Sequence, residues 1–175
     1  MATLFTPVDF RRRFHSETEE YFGNAIVTVP THTSVEQLQS ACENHVSLAK
    51  IVAQVTATFS NVDRAAILRR EALFKKVTDY RRLVLSQDRR IPRQMQFNSY
   101  RYFSGNNVWK LPGMGMQKPD SVRRVQGAVS LGNVLILPLN SELDVYEVLV
   151  QVPEASMAAL LQDDDLMHWV HHTIG

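Results

Sequence analysis

The sequence contains one cysteine, Cys42, among its 175 residues. A lone thiol cannot form an intrachain disulfide, and the sequence has no CxxC pair or Cys/His cluster typical of structural zinc. A chain of this length with 45% apolar residues buries enough surface to fold without such crosslinks. We therefore expect a globular protein in a reducing compartment, the cytoplasm.

Long hydrophobic runs are also lacking. The most apolar segment, residues 125–139, is interrupted by Gln126, Ser130, Asn133 and Pro138, so nothing approaches 18 uncharged apolar residues. The first nine residues have neither the basic start nor the apolar run of a signal peptide. These absences predict no membrane partner and no secretion.

Positive charge is missing from the last part of the chain. No Lys or Arg follows Arg124, where seven acidic residues occur, whereas residues 61–93 hold ten Lys/Arg and four acids. A basic face can steer an anionic ligand. Nucleic acid is not the expected partner, because no aromatic residues alternate with the basic doublets, no DNA-binding motif is present and the net charge is only +1.

Periodicity predicts an α/β domain spanning residues 1–175, with helices inserted between strands. Alternating patterns indicate strands at residues 3–10, 25–29, 95–103, 122–130, 133–138 and 145–152. Pro30 is expected to close the second strand, and Pro153 to begin a final helix.

Two longer helices are expected between the second and third strands. Ser34 and Gln37 form a capping-box pattern that predicts a helix to about Phe59, with Cys42 facing the core. Asn61 is the expected cap of the next helix, residues 62–86, which has Arg69-Arg70, Lys75-Lys76 and Arg81-Arg82 on its polar side.

The six histidines offer the first candidates for acid–base chemistry. His15 precedes Glu19 by four residues and His32 precedes Glu36 by four, so either pair would suit a base and its orienting carboxylate. Both pairs are expected in surface loops or at a helix start. A further cluster near the end has the spacing of a metal site but an exposed position: His168, His171 and His172. We predict no catalytic and no metal-binding residue among the six.

The glycine-rich segment 111–120, LPGMGMQKPD, lacks the features of a phosphate-binding loop. Neither the Gly-Lys-Ser/Thr of a Walker loop nor a GxGxxG fingerprint is present. The segment, together with Trp109, is predicted to be a structural loop within residues 105–120.

Four stretches in order carry a family resemblance: VDFRRR at 8–13, YFGNA at 21–25, LPGMGMQKPDSVRR at 111–124, and the closing strands and helix at 134–167. They resemble the C-terminal half of the BAHD family of acyl-CoA-dependent acyltransferases, particularly its fungal branch that resembles trichothecene 3-O-acetyltransferase. The pieces span nearly the whole chain.

The resemblance implies a two-layer fold like that of chloramphenicol acetyltransferase, with a mixed sheet and helices on one face. Residues 1–175 would form the second of two similar domains. In such enzymes a histidine of an HxxxD motif in the first domain acts as the base, and acyl-CoA is the co-substrate with no bound cofactor. No HxxxD occurs in this sequence.

The resemblance also suggests roles for particular residues. Eight match structural motifs of the family: Tyr21, Phe22, Gly23, Asn24, Gly113, Gly115, Lys118 and Pro119. Asn98, Ser99 and Tyr100 fall near a stretch that faces the substrate channel. Leu111 replaces the family's aspartate, which pairs with an arginine, and Pro112 replaces its phenylalanine.

Two functional interpretations follow. The chain is either half of an acyltransferase that uses acyl-CoA and the hydroxyl or amine of a secondary metabolite, completed by an N-terminal half or a homodimer partner, or a catalytically silent binding module. Leu111 and the missing HxxxD favour the second interpretation.

Overall fold

A computed structural model describes residues 1–14, 23–83, 91, 93–101, 109–113, 115–117, 132–138 and 145–173. The chain divides into two compact units, Met1–Asn98 and Ser99–Gly175. The predicted strand at 122–130 lies outside the described residues.

The first unit is built on a mixed sheet. Strand β1 (Ala2–Asp9) pairs antiparallel with β2 (Ile26–Thr33) and parallel with β3 (Gln94–Ser99). Phe5 and Val8 of β1 are among its buried apolar residues. The prediction that Pro30 ends the second strand is wrong, because Pro30 lies inside β2, opposite Phe5. β2 is the outermost strand of the sheet, a position that tolerates proline.

The helix predicted at Ser34 begins as expected. The Ser34 hydroxyl accepts from the Gln37 backbone N–H at 3.1 Å, and Gln37 Oε1 accepts from the Ser34 N–H at 3.0 Å. The helix does not continue to Phe59 but divides into α2 (Val35–Glu43) and α3 (His45–Ser60). Asn44 is extended between them, and its side chain caps α3.

The break at Asn44 changes which residues face inward. Val52, which continues the helical spacing of Cys42 in the sequence, is 56% exposed. Ile51 and Val55 of α3 are half-buried instead, and α3 packs against β2. Cys42 is exposed, so its prediction as a core-facing thiol is also wrong.

The next helix, α4 (Arg64–Phe74), is shorter than predicted at both ends. Its cap is Asp63, whose Oδ1 accepts from the Ala66 N–H at 2.7 Å, and not Asn61. Lys75-Lys76 follow the helix and Arg81-Arg82 lie in a separate 3₁₀ turn, Tyr80–Arg82. The basic doublets therefore do not share one long helix face.

The second unit contains two antiparallel strand pairs. Strand β4 (Trp109–Leu111) pairs with β5 (Gly115–Gln117), and β6 (Asn133–Ile136) pairs with β7 (Val148–Gln151). The segment predicted as a loop at 105–120 thus contains a hairpin.

Leu135, 1% exposed, is a core residue of the second unit. Helix α5 (Glu154–Leu160) follows with Pro153 at its N-cap, and the short helix α6 (Asp164–Met167) comes next. The remaining short helix, α1 (Arg11–Phe14), belongs to the first unit. A mixed α/β class is confirmed. None of the helices among the described residues has the length and apolar character needed to cross a membrane.

Candidate functional site

The VDFRRR and YFGNA stretches meet through one arginine. Arg11 Nη1 donates to Asp9 Oδ2 at 2.8 Å, and the Arg11 backbone N–H donates to Asp9 Oδ1 at 2.9 Å. Arg11 Nη2 also donates to the carbonyl oxygen of Gly23. We call Asp9, Arg11 and Gly23 the Arg11 joint. It fixes the end of β1 to the turn that enters β2.

Backbone and amide contacts reinforce this joint. The Phe10 N–H donates to the Ala25 carbonyl at 3.0 Å, and Asn24 Oδ1 accepts from the Ile26 N–H at 3.2 Å. Asn24 therefore shapes the turn with its side chain, as asparagine commonly does. Tyr21 and Phe22 lie outside the described residues. The roles of Gly23 and Asn24 as structural residues of a family motif stay predictions.

Arg13 makes a contact that the sequence did not predict. Arg13 Nη1 donates to the carbonyl oxygens of Phe59 and of Val62, the latter at 3.2 Å. These carbonyls are at and just beyond the C-terminal end of α3, where a cation is favoured by the helix dipole. Because 46 residues separate Arg13 from Phe59, no local pattern predicts this contact.

The glycine-rich segment forms what we call the glycine hairpin, the described residues of β4, β5 and the turn between them. Leu111 pairs with Gly115 at its closed end. Gly113 and Gly115 have φ angles of +80° and +75°, the left-handed region that glycine adopts most readily. Lys118 and Pro119 lie outside the described residues.

The predicted channel residues lie at the end of β3 and just beyond it. Asn98 and Tyr100 are half-buried, and Ser99 is exposed. The Tyr100 N–H donates to the Ile136 carbonyl at 2.7 Å, and the Arg101 guanidinium lies 5.4 Å from the centre of the Tyr146 ring. The place of Asn98, Ser99 and Tyr100 in a substrate channel stays a prediction.

His32 lies in β2 and not in the surface loop predicted for it. Its Nδ1 is 3.0 Å from the Thr3 hydroxyl on the paired strand. Glu36 is engaged elsewhere: hydrogen bonds from its own backbone N–H and from the Ser34 hydroxyl lower the pKa of its carboxyl. Within the described residues, His32 and Glu36 are therefore not joined as base and orienter. His15 and Glu19 lie outside them.

The C-terminal histidines form no metal centre with the residues around them. His168, His171 and His172 are exposed, and the His168 ring meets the Trp169 ring edge to face at 5.2 Å. Across the described segments, no group of three His, Cys, Asp or Glu side chains is placed to hold a metal ion.

Comparison with solved structures identifies a similar fold. The structure of F. sporotrichioides TRI101 complexed with Coenzyme A and T-2 matches 96% of this chain with a TM-score of 0.67 and 16% sequence identity. The chain therefore has a fold similar to that of the matched part of TRI101. It spans 40% of the length of TRI101. No protein-family model matches the sequence, and neither does any curated protein.

The match with TRI101 supports the BAHD-like fold that the four sequence stretches predicted. The guanidinium of Arg11 is bound by Asp9 and Gly23. The described residues of the glycine hairpin form a turn with two glycines at positive φ. Both features hold loops in place. Neither provides a nucleophile or a base, which a transfer reaction also needs.

Proposed function

We propose that this chain is the C-terminal half of a BAHD-type acyltransferase with the two-layer fold of chloramphenicol acetyltransferase. The reaction transfers an acyl group, with acetyl the first candidate, from acyl-CoA to a hydroxyl or amine of a small secondary metabolite in the cytoplasm. Residues 1–175 act as one domain of the pair, and the base comes from outside them.

One observation carries this proposal. The fold match extends over 96% of this chain but over only 40% of TRI101, which is the proportion expected of one domain in a two-domain protein. TRI101 was solved with Coenzyme A, so the same class of co-substrate is the first candidate here.

The Arg11 joint gives independent support. Two of the four stretches that resemble the family, 8–13 and 21–25, contact each other through Arg11, Asp9 and Gly23. Only residues 14–20 separate the two stretches in the sequence, and Arg11 adds a side-chain contact to the backbone pairing of β1 with β2. The positive φ of Gly113 is compatible with the resemblance of the third stretch.

The proposed chemistry follows from general base catalysis. The histidine of an HxxxD motif removes the proton from the acceptor hydroxyl or amine, whose oxygen or nitrogen forms a bond to the thioester carbonyl carbon. The resulting oxyanion is stabilised by hydrogen-bond donors, with Asn98 the first candidate. The C–S bond then breaks, and the CoA thiolate takes the proton back from the imidazolium.

A catalytically silent binding module is the second candidate. Leu111 replaces the aspartate of the family and pairs through its backbone with Gly115. A leucine side chain cannot form an ion pair with an arginine. On this alternative the loop geometry remains and the catalytic function does not.

Acyl transfer should be measured with acetyl-CoA and a panel of hydroxyl and amine acceptors, by release of free CoA. This chain is tested alone and together with an HxxxD-bearing half encoded upstream in the genome. We expect turnover only in the mixture, and loss of turnover when the HxxxD histidine is replaced by alanine.

Turnover by this chain alone that disappears in His32→Ala would overturn the proposal. Absence of both turnover and an acetyl-CoA-dependent rise in Tm in the mixture would favour the silent module.

A further inference from the structure

A groove in the first unit lies apart from the Arg11 joint and the glycine hairpin. It lies between β2, the end of α3 and the first turns of α4, and its volume is about 310 Å³. Ligand-binding clefts in proteins begin at about 300 Å³. The groove is therefore large enough for a small organic ligand.

Aliphatic side chains form the walls of this groove. Val27 and Val29, two residues apart in β2, point to the same face of the sheet. Ala66 and Ile67 of α4 line the opposite side. All four are half-buried, so a bound alkyl chain would remove their remaining exposed surface from water.

The polar groups of the groove are few, and only one of the residues that line it is charged. Arg70 lines the groove, and its Nη1 donates to the Thr28 carbonyl over a long 3.4 Å. A guanidinium has five N–H donors, so this bond leaves donors able to bind a carboxylate. Asn61 also lines the groove. The charge therefore favours an anionic ligand.

An unsatisfied hydroxyl lies on the same face of the sheet. Thr6 is directly opposite Val29 and is 8% exposed. Its hydroxyl has no hydrogen-bond partner among the described residues. Buried polar groups are normally satisfied, and this hydroxyl is an exception on the face of the sheet that carries Val29.

We propose that this groove binds an aliphatic carboxylate, with its alkyl chain against Val27, Val29 and Ile67 and its carboxylate on Arg70. Octanoate, a straight-chain carboxylate, is the probe. This site is independent of the proposed acyl transfer, and either proposal stands if the other fails.

Calorimetric titration of the full chain with octanoate tests the charge requirement. We expect a dissociation constant below about 1 mM and at least roughly tenfold weaker binding by Arg70→Gln, equal to the loss of about 1.4 kcal/mol. Arg69→Gln is the matched control, since Arg69 is the neighbouring exposed arginine of α4 and does not line the groove. Octanol should bind more weakly than octanoate.

A second pair of variants tests the location. Ala66→Leu fills the groove without changing its charge, and we expect it to weaken octanoate binding at least tenfold. Ala65→Leu adds the same volume at an exposed neighbouring position and should bind as the natural sequence does. No measurable heat with octanoate, equal affinity for octanol, or unchanged binding in either groove variant would overturn the proposal.

Discussion

The Arg11 joint and the glycine hairpin both resemble motifs of one enzyme family, but different forces hold them. In the joint, a guanidinium that is 24% exposed binds a carboxylate and a carbonyl from residues separated by a turn. In the hairpin, the closed end depends on a backbone pair and on two glycines with positive φ.

The two features differ in whether an ion pair contributes to their geometry. The joint retains an arginine with its carboxylate, so its geometry depends on side-chain chemistry. The described residues of the hairpin keep a turn with a backbone pair between Leu111 and Gly115 and with two glycines at positive φ.

The largest effect is expected from Arg11→Met. Loss of charge-assisted hydrogen bonds at a mostly buried arginine should lower the free energy of unfolding of the first unit by about 1.5–3 kcal/mol. Urea unfolding followed by circular dichroism measures it. Arg69→Met, at an exposed arginine, serves as control and should change stability by less than about 0.5 kcal/mol. Equal effects of the two substitutions would show that the joint does not stabilise the unit.

A smaller effect is expected from Gly113→Ala. Since nothing lies within 4 Å of an added Cβ, the cost is purely conformational, about 1–2 kcal/mol for an alanine at φ +80°. Gly113→Asn should cost less, because asparagine adopts this region more readily. Thermal unfolding of the two variants provides the comparison. A greater loss of Tm with asparagine than with alanine would contradict the conformational explanation.

The smallest effect is expected from Ser34→Ala, which removes a hydrogen bond to the Glu36 carboxyl. The pKa of Glu36 is lowered by its own backbone N–H and then by the Ser34 hydroxyl, so Ser34→Ala should raise that pKa part of the way towards 4.5. Loss of the cap also lowers stability by about 1 kcal/mol. An NMR titration of the Glu36 carboxyl measures the pKa.

The sign of the pH dependence follows from that direction. A carboxyl whose pKa is lowered on folding stabilises the protein above its unfolded pKa, and this contribution disappears as pH falls through the folded pKa. Acid destabilisation from Glu36 should therefore be smaller in Ser34→Ala. Ser40→Ala, at an exposed position inside α2, should leave the titration unchanged.

Local chemistry made much of the first unit predictable. The capping box at Ser34 was confirmed because its bonds join residues three apart. Strands β1 and β2 followed from alternation and turn residues. The break at Asn44 carried a detectable signal, an asparagine before an apolar run, but the continuous periodicity on both sides concealed it.

Long-range contacts account for what the sequence did not reveal. Arg13 binds carbonyls 46 and 49 residues away, and Arg70 reaches Thr28 across 42 residues. The residues next to Arg13 and Arg70 in the sequence do not predict these contacts, because several other exposed arginines have similar neighbours. The four family-like stretches predicted the fold at a sequence identity of 16%, but they left the roles of Asn98, Ser99 and Tyr100 as predictions.

Pro30 affects whether a strand from another copy of this chain can pair with the edge of β2. The bond from the Phe10 N–H to the Ala25 carbonyl fixes the alternation of the β1–β2 ladder, which directs the Pro30 nitrogen away from β1. An incoming strand would find no donor at Pro30 and a carbonyl already engaged by Arg70 at Thr28. Pro30 therefore disfavours the pairing of another strand with the free edge of β2, and with it fibril growth.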